Sequence, residues 1–323
     1  MDKSKRPLII LTGPTAVGKT RASIGLAKAV NGEIISADSM QVYRYMDIGS
    51  AKIRPEEMEG IRHYLVDVLE PEEEFHVARF QQMAYEAMEQ IYEAGKIPIV
   101  VGGTGFYIQA LLYHIDFSEG EEDTAYRREL EVFAKENGAD ALHERLRLVD
   151  AASAKAIHAN NIKRVIRALE FYRQTGKPIS QHNEQERQKE SPYRFAYFVL
   201  NDERQRLYER IEKRVDVMLE AGLVEEVAAL MQRGCHKEMV SMQGLGYKEI
   251  LDYLAGEATL EEAVYRLKRD TRHFAKRQIT WFKRERDVIW IPKQDYGYDE
   301  EKILDAMLGH LRKKEIIGNG SCN

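Results

Sequence analysis

The chain has 323 residues, of which 44% are hydrophobic and 31% charged, with a formal net charge of −5. That balance excludes a disordered or fibrous chain, and no apolar run approaches the roughly 18 residues that a membrane span needs. Cys235 and Cys322 stand far apart, which excludes a disulfide framework and a cysteine zinc site and sets the expectation of a cytoplasmic protein.

The first residues, "MDKSKRPLIILTG", share the outline of a signal peptide. The apolar stretch is too short, however, and it runs into Gly-Pro and a lysine, so a buried first strand is expected. "PLIILTG", "EIISADS", "HYLVDVL" and "IPIVVGG" are short, rich in Ile, Val and Leu, and not strictly alternating, as parallel strands covered on both faces are. In "HVARFQQMAYEAMEQIYEAG", Val77, Phe80, Ala84, Met88 and Ile91 fall on one helix face, and Gly95 is placed to end it. Met83 and the aromatics of that helix are expected in the core.

The alternation breaks at the acidic linker "DFSEGEED", after which the text is helical to about residue 190. Strand character returns in "FAYFVLN", and long helices follow to about 286. The pattern predicts an α/β protein, a parallel sheet flanked by helices with an inserted all-helical domain, and the "GPTAVGKT" that follows the first strand makes the expected core P-loop NTPase-like. The expected boundaries are residues 1–115 and 193–292 for the core with its C-terminal helices, and 116–192 for the insertion. Residues 293–323 are expected to form a C-terminal helix and a loose tail, "GNGSCN".

"GPTAVGKT", comprising Gly13, Pro14, Thr15, Ala16, Val17, Gly18, Lys19 and Thr20, matches G-x-x-x-x-G-K-[ST] in full between a strand and a helix. Its glycines let backbone N–H groups converge on anionic oxygens, Lys19 adds a point charge, and the Thr20 hydroxyl is positioned for Mg²⁺. The loop implies a di- or triphosphate without specifying ATP. Asp38, at the end of the second strand, falls on the sheet edge where ligands bind. It can hold a metal through water, act as a general base, or simply cap the "DS" turn; pattern alone leaves these roles open.

Near the C-terminus, "KRDTRHFAKRQITWFKRER" is strongly basic on an otherwise acidic protein, with Phe274, Trp281 and Phe282 interleaved. Arg269, Arg272, Lys276 and Lys283 can share one helix face while the aromatics pack inward, a pattern that points to contact with nucleic acid, with a solvated charged face as the alternative. The histidines are scattered and form no metal-ligand pair.

"GPTAVGKT" followed by "SADSMQVYRYMDIGSAK" and "VVGGTGFYIQALL" resembles the tRNA dimethylallyltransferase (tRNA isopentenyltransferase) family. The resemblance continues through "NIKRVIRALEFYRQTGKPIS", "RVDVMLEAGLVEEV", "MQGLGYKEI" and "TRHFAKRQITWFKRE", in family order and over nearly the whole chain. Val17, Met40 and Asn161 depart from the family's frequent Ser, Arg and acid. Position 17 keeps its backbone N–H whatever its side chain; Met40 in place of arginine weakens one expected tRNA contact.

The resemblance implies transfer of a dimethylallyl group from dimethylallyl diphosphate to N6 of the adenosine on the 3′ side of the anticodon. The phosphate loop then cradles an isoprenoid diphosphate with Mg²⁺ as cofactor, and no ATP is involved. By the same resemblance Asp38 is the base, Thr104 orients base or adenine (or caps the helix after it), and Lys19 and Arg214 clamp the leaving diphosphate. For Arg214 an ordinary helix-surface ion pair is the alternative. Expected tRNA contacts are Asp38, Ser39, Met40, Gln41 and Thr104, then Arg127, Lys163, Arg164 and Arg167 in the insertion, and Gly244, Gly246, Lys248, Lys276 and Arg277 beyond it. The expected partners of this monomer are a tRNA anticodon stem-loop and the isoprenoid donor, with no membrane. Without the cysteines for a zinc finger, the chain reads as a bacterial-type enzyme.

Three other readings compete. An enzyme prenylating free AMP or ADP leaves the insertion and basic helix unexplained. A small-molecule kinase lacks an arginine-rich lid after the fourth strand. A non-catalytic RNA-binding module does not need Asp38 and Thr104.

Overall fold

Six parallel strands form one sheet in the order β3–β2–β4–β1–β5–β6: β1 (Pro7–Thr12), β2 (Gly32–Ala37), β3 (His63–Tyr64), β4 (Ile97–Gly102), β5 (Arg194–Asn201) and β6 (Val288–Pro292). The computed structural model describes residues 5–117 and 124–318. The chain divides into two units, Met1–Leu112 with Pro192–Asn323, and Tyr113–Ser191. Most of the acidic linker (118–123) and nearly all of the expected tail (319–323) lie outside the described residues.

The first unit carries the sheet with helices α1 (Lys19–Val30), α2 (Val77–Glu93) and α3 (Gly105–Leu112) between its early strands. Period-two alternation sends Ile9 and Leu11 of β1 to one face, where they join Leu26 of α1, Phe198 of β5 and Met307 near the C-terminus in one cluster. Leu8 and Ile10, equally buried, point the other way. On α2, Phe80, Ala84, Met88 and Ile91 are buried as the spacing predicts, whereas Val77 and Met83 are only partly covered. Gly95 takes φ +69°, the left-handed conformation expected just past a helix end.

The helical unit contains α4 (Thr124–Asn137), α5 (Ala139–Val149), α6 (Ala151–Ala156), α7 (Ile162–Thr175) and α8 (Ile179–Gln188). Leu130, Leu142, Leu146, Val165 and Leu169 make its core. The chain then continues in the first unit through β5, α9 (Arg204–Glu220), α10 (Leu223–Gln232), α11 (Tyr247–Leu254), α12 (Leu260–Phe282), β6 and α13 (Glu300–Lys313).

One strand expectation is corrected and one strand is added. "HYLVDVL" supplies only the two residues of β3, because Leu65 and Asp67 both adopt φ +62° and turn the chain out of the sheet. In compensation, "VIWIP", unrecognised in the sequence, forms β6 beside β5. Neighbouring β2, β4 and β1 all end at one edge, so Asp38, Gly103–Thr104 and the phosphate loop emerge side by side.

Candidate active site

The phosphate loop leaves β1 with Gly13 at φ +149°, Ala16 at +63° and Gly18 at +100°. A Cβ on Gly13 would overlap the Leu200 carbonyl of β5, so only glycine fits there. Lys19 opens α1, and its Nζ donates to the Gly13 and Pro14 carbonyls at 3.0 Å each. The ammonium is thereby folded across the mouth of the loop. Burial, then repulsion by Arg214, lowers its pKa from 10.5 to about 8, against the opposing pull of Asp38.

Arg214 of α9 is subject to the same forces: burial depresses its pKa, Asp38 raises it, and Arg210 lowers it. One turn away, Arg210 donates its Nε to the Ala16 carbonyl at 2.7 Å. Lys19, Arg210, Lys213 and Arg214, with Asp38 the sole acid, line a cavity of about 530 Å³ over Thr15, Gly18 and Thr20. Four cations around the N-terminus of α1 make an anion site, and its size suits a polyphosphate.

A second cavity of about 460 Å³ shares Thr15, Lys19, Asp38, Ser50 and Arg214 with the first. It extends past Thr104 to an apolar wall that includes Phe75, Tyr107, Val215, Met218, Leu267 and Phe274. Charge at one end and hydrocarbon at the other match an amphipathic molecule. Asp38 lies where the two meet. Its Oδ1 accepts the N–H groups of Met40 at 2.8 Å and Gln41 at 3.3 Å. The Thr104 carbonyl accepts the N–H groups of Tyr107 at 3.0 Å and Ile108 at 3.3 Å, while the residue lines the cavity.

The remaining predicted residues divide into those the cleft gathers and those it does not. Ser39, Met40, Gly244, Lys248 and Arg277 line the second cavity, and Gln41 lines the first. A Cβ on Gly244 would overlap the Met40 methyl, so that glycine admits the side chain standing where the family often has arginine. Gly246, at φ +97°, caps α11 and donates its N–H to Glu249 at 2.8 Å. Lys276 is exposed on α12.

Lys163, Arg164 and Arg167 form an exposed face of α7 in the helical unit. Arg127 directs one guanidinium nitrogen to Glu170, 2.9 Å away and buried.

The picture of basic residues outside and aromatics inside on α12 also needs correction. Arg272 is paired with Glu212 at 2.6 Å. Phe282 is buried in the core, but Phe274 faces the cavity, and Trp281 packs on Gly105 with its ring steeply inclined to that of Phe106.

Sequence reasoning missed Arg210, Lys213, Lys293 and Gln278. Arg210 precedes Arg214 by four residues, a spacing that marks it as a neighbour on the same helix face. Lys293 is buried, with its Nζ 3.0 Å from Glu300 and 3.5 Å from the Val17 carbonyl, and no motif announces it. Gln278 is hidden within the basic stretch.

An α/β sheet with a phosphate loop, a carboxylate and an apolar cavity at one edge defines a transferase-like cleft for a diphosphate-bearing substrate. A family model described as IPP transferase matches residues 41–285, and the chain belongs to that family. It is 64% identical to a tRNA dimethylallyltransferase of Lachnoclostridium phytofermentans, covering 97% of this chain and 99% of the relative. Identity to a tRNA dimethylallyltransferase of Acetivibrio thermocellus is 52%, over 92% of this chain and 95% of the other. The solved tRNA isopentenylpyrophosphate transferase of Bacillus halodurans superposes with a TM-score of 0.72 at 45% identity, covering 96% of this chain and 98% of that one. A eukaryotic dimethylallyltransferase acting on tRNA gives 0.76 at 31% identity, over 89% of this chain and 74% of that one.

Proposed function

We infer that the protein transfers a dimethylallyl group from dimethylallyl diphosphate to N6 of the adenosine on the 3′ side of a tRNA anticodon. One observation carries the reading: Asp38 stands where a cationic phosphate cavity meets a second cavity with an apolar wall, so that the donor's charged and hydrocarbon ends each have a place.

The chemistry follows from what each group offers. The adenine N6 lone pair is delocalised into the ring, so N6 attacks only as its proton is removed. As N6 bonds to the allylic carbon, the carbon–oxygen bond to the diphosphate breaks, and the N6 proton passes to the Asp38 carboxylate. Negative charge grows on the departing diphosphate, where Lys19, Arg210, Arg214 and the loop N–H groups stabilise it. Thr104 orients the adenine across the cavity from the loop.

No group of three His, Cys, Asp or Glu residues suited to a metal occurs among the described residues. The oxygens nearby, the Thr20 hydroxyl and the Asp38 carboxylate, fit Mg²⁺, which takes one or two protein ligands and completes its shell with phosphate oxygens and water. Such an ion would supply charge neutralisation on the diphosphate.

The acceptor adenosine has to leave its stack to reach the cavity, at a cost of a few kcal/mol. Lys248, Lys276 and Arg277, with Lys163, Arg164 and Arg167 in the helical unit, supply phosphate contacts on the anticodon stem-loop that offset it. One chain furnishes the whole cleft, so the reading requires only a monomer, and a tRNA substrate makes the cytoplasm its compartment.

The test is mass analysis of nucleosides from unmodified tRNA incubated with the protein, Mg²⁺ and dimethylallyl diphosphate. A five-carbon addition to adenosine only when tRNA and this donor are present is the expected result. Modification of AMP alone, or consumption of ATP in place of the donor, overturns the reading.

A further inference from the structure

Gln278 makes two hydrogen bonds that join the two loops on which the reaction depends. Its side chain descends from α12 and is 6% exposed. Oε1 accepts the N–H of Thr15 in the phosphate loop at 2.9 Å. Nε2 donates to the carbonyl of Gly103 at 3.0 Å. The orientation of the amide is fixed by its partners, since a backbone N–H only donates and a carbonyl only accepts.

The two loops follow β1 and β4, which are neighbours in the sheet, yet no strand pairing extends beyond Thr12 and Gly102 to hold the loops themselves together. Gly103 leaves room for the bridge: a Cβ there would overlap Gln278 Nε2. One loop holds the donor diphosphate and the other carries Thr104; their roots are joined where Thr12 Oγ1 donates to the Gly102 carbonyl at 2.6 Å, and beyond that point the Gln278 amide ties the leaving-group side to the adenine side. A hydrophobic residue of equal length would fill the space and leave both backbone groups without these partners.

We propose that Gln278 is a positioning residue, which bridges the phosphate loop and the Gly103–Thr104 loop and fixes the distance between the donor diphosphate and the acceptor adenosine. The proposal rests on the prenyl-transfer reading. Because Arg277 and Lys276 lie beside it on α12, the bridge also attaches the proposed RNA-facing helix to the phosphate loop.

The experiment compares wild type, Gln278→Met, Gln278→Glu and Gly103→Ala. Gln278→Met loses both bonds. Gln278→Glu keeps the acceptor for Thr15 and turns the donor to Gly103 into a repulsion. Gly103→Ala displaces the amide from the other side. Single-turnover transfer is measured at saturating donor and tRNA, alongside the affinity for inorganic diphosphate with Mg²⁺, the affinity for tRNA, and thermal melting.

Expected is a rate loss of roughly 100-fold in Gln278→Met, the order of effect of a misplacement of about 1 Å, with both affinities within about threefold of wild type. Gln278→Glu and Gly103→Ala should show the same separation of rate from affinity. If Gln278→Met does not fold, Gln278→Glu and Gly103→Ala decide the matter. Wild-type rates in those two overturn the proposal, as does a rate loss that only follows lost melting temperature and lost diphosphate binding. An inactive wild type instead sinks the prenyl-transfer reading itself.

Discussion

Asp38 Oδ1 accepts the backbone N–H of Met40 at 2.8 Å, so the carboxylate that faces the cleft also shapes the turn that follows β2. The same oxygen takes the N–H of Gln41 at 3.3 Å. Capping and catalysis are therefore not alternatives here, since one oxygen suffices for the turn.

Asp38→Asn separates the two roles. Asparagine retains the oxygen that caps the turn but cannot take a proton from N6. Turnover should fall by roughly 10²- to 10⁴-fold, the usual worth of a positioned base, while melting temperature and tRNA affinity stay near wild type. A variant that loses stability or tRNA binding in proportion to activity would make Asp38 a turn cap only. Rapid-quench transfer assays with parallel binding titrations make the comparison.

Lys19 gives the free protein a pH dependence of definite sign. Its native pKa of about 8 lies below the ordinary 10.5, so the ammonium is charged below pH 8 and progressively lost above it. Affinity for inorganic diphosphate should therefore weaken as pH rises through 8. Diphosphate itself also titrates, so the relevant quantity is the difference between wild type and Lys19→Met, which removes the lysine's own step. For stability the sign is opposite: between pH 8 and 10.5 the unfolded chain binds the proton that the native chain has released, so this group's contribution to stability rises with pH. Calorimetric titrations at constant ionic strength measure the first effect, and thermal melts of the ligand-free protein the second.

The basic end of α12 is tested through salt. Lys276 and Arg277 are exposed, whereas Arg272 is engaged with Glu212. Charge reversal at 276 and 277 together should weaken tRNA binding and reduce the slope of log affinity against log salt by roughly 0.7–0.9 for each RNA phosphate that the protein no longer neutralises. An unchanged slope would make this end of α12 a solvated surface.

What could be read in advance was what depends on short stretches of chain. "GPTAVGKT" dictates its own loop, and the runs before and after it dictate a strand and a helix, so the anion site was legible from eight residues. Asp38 and Thr104 followed because each ends a strand, and strand ends in such sheets share an edge. Gln278 was illegible for the opposite reason: its partner Thr15 is 263 residues away, and nothing local distinguishes it from the polar residues around it. Phe274 was assigned to the core because periodicity reports a buried face without telling a core from a cavity wall. The truncation of β3 depends on left-handed φ at Leu65 and Asp67; aspartate tolerates that conformation but leucine does not favour it, so composition carried no warning at Leu65.

Arg127 carries both a family-derived expectation of tRNA contact and a partner within the fold. Glu170 is 1% exposed, and Arg127 holds one of its carboxylate oxygens at 2.9 Å. The other oxygen is buried without a hydrogen-bond partner. Removing the guanidinium strands a buried carboxylate, a change that costs on the order of 3–5 kcal/mol. Arg127→Ala should accordingly destabilise the helical unit, and Arg127→Ala combined with Glu170→Met, which removes the stranded charge, should recover much of the loss. If Arg127 serves tRNA instead, the single variant will melt like wild type and bind tRNA more weakly, and the second substitution will restore nothing. Melting curves of the two variants, read beside their tRNA affinities, assign the arginine to the fold or to the RNA.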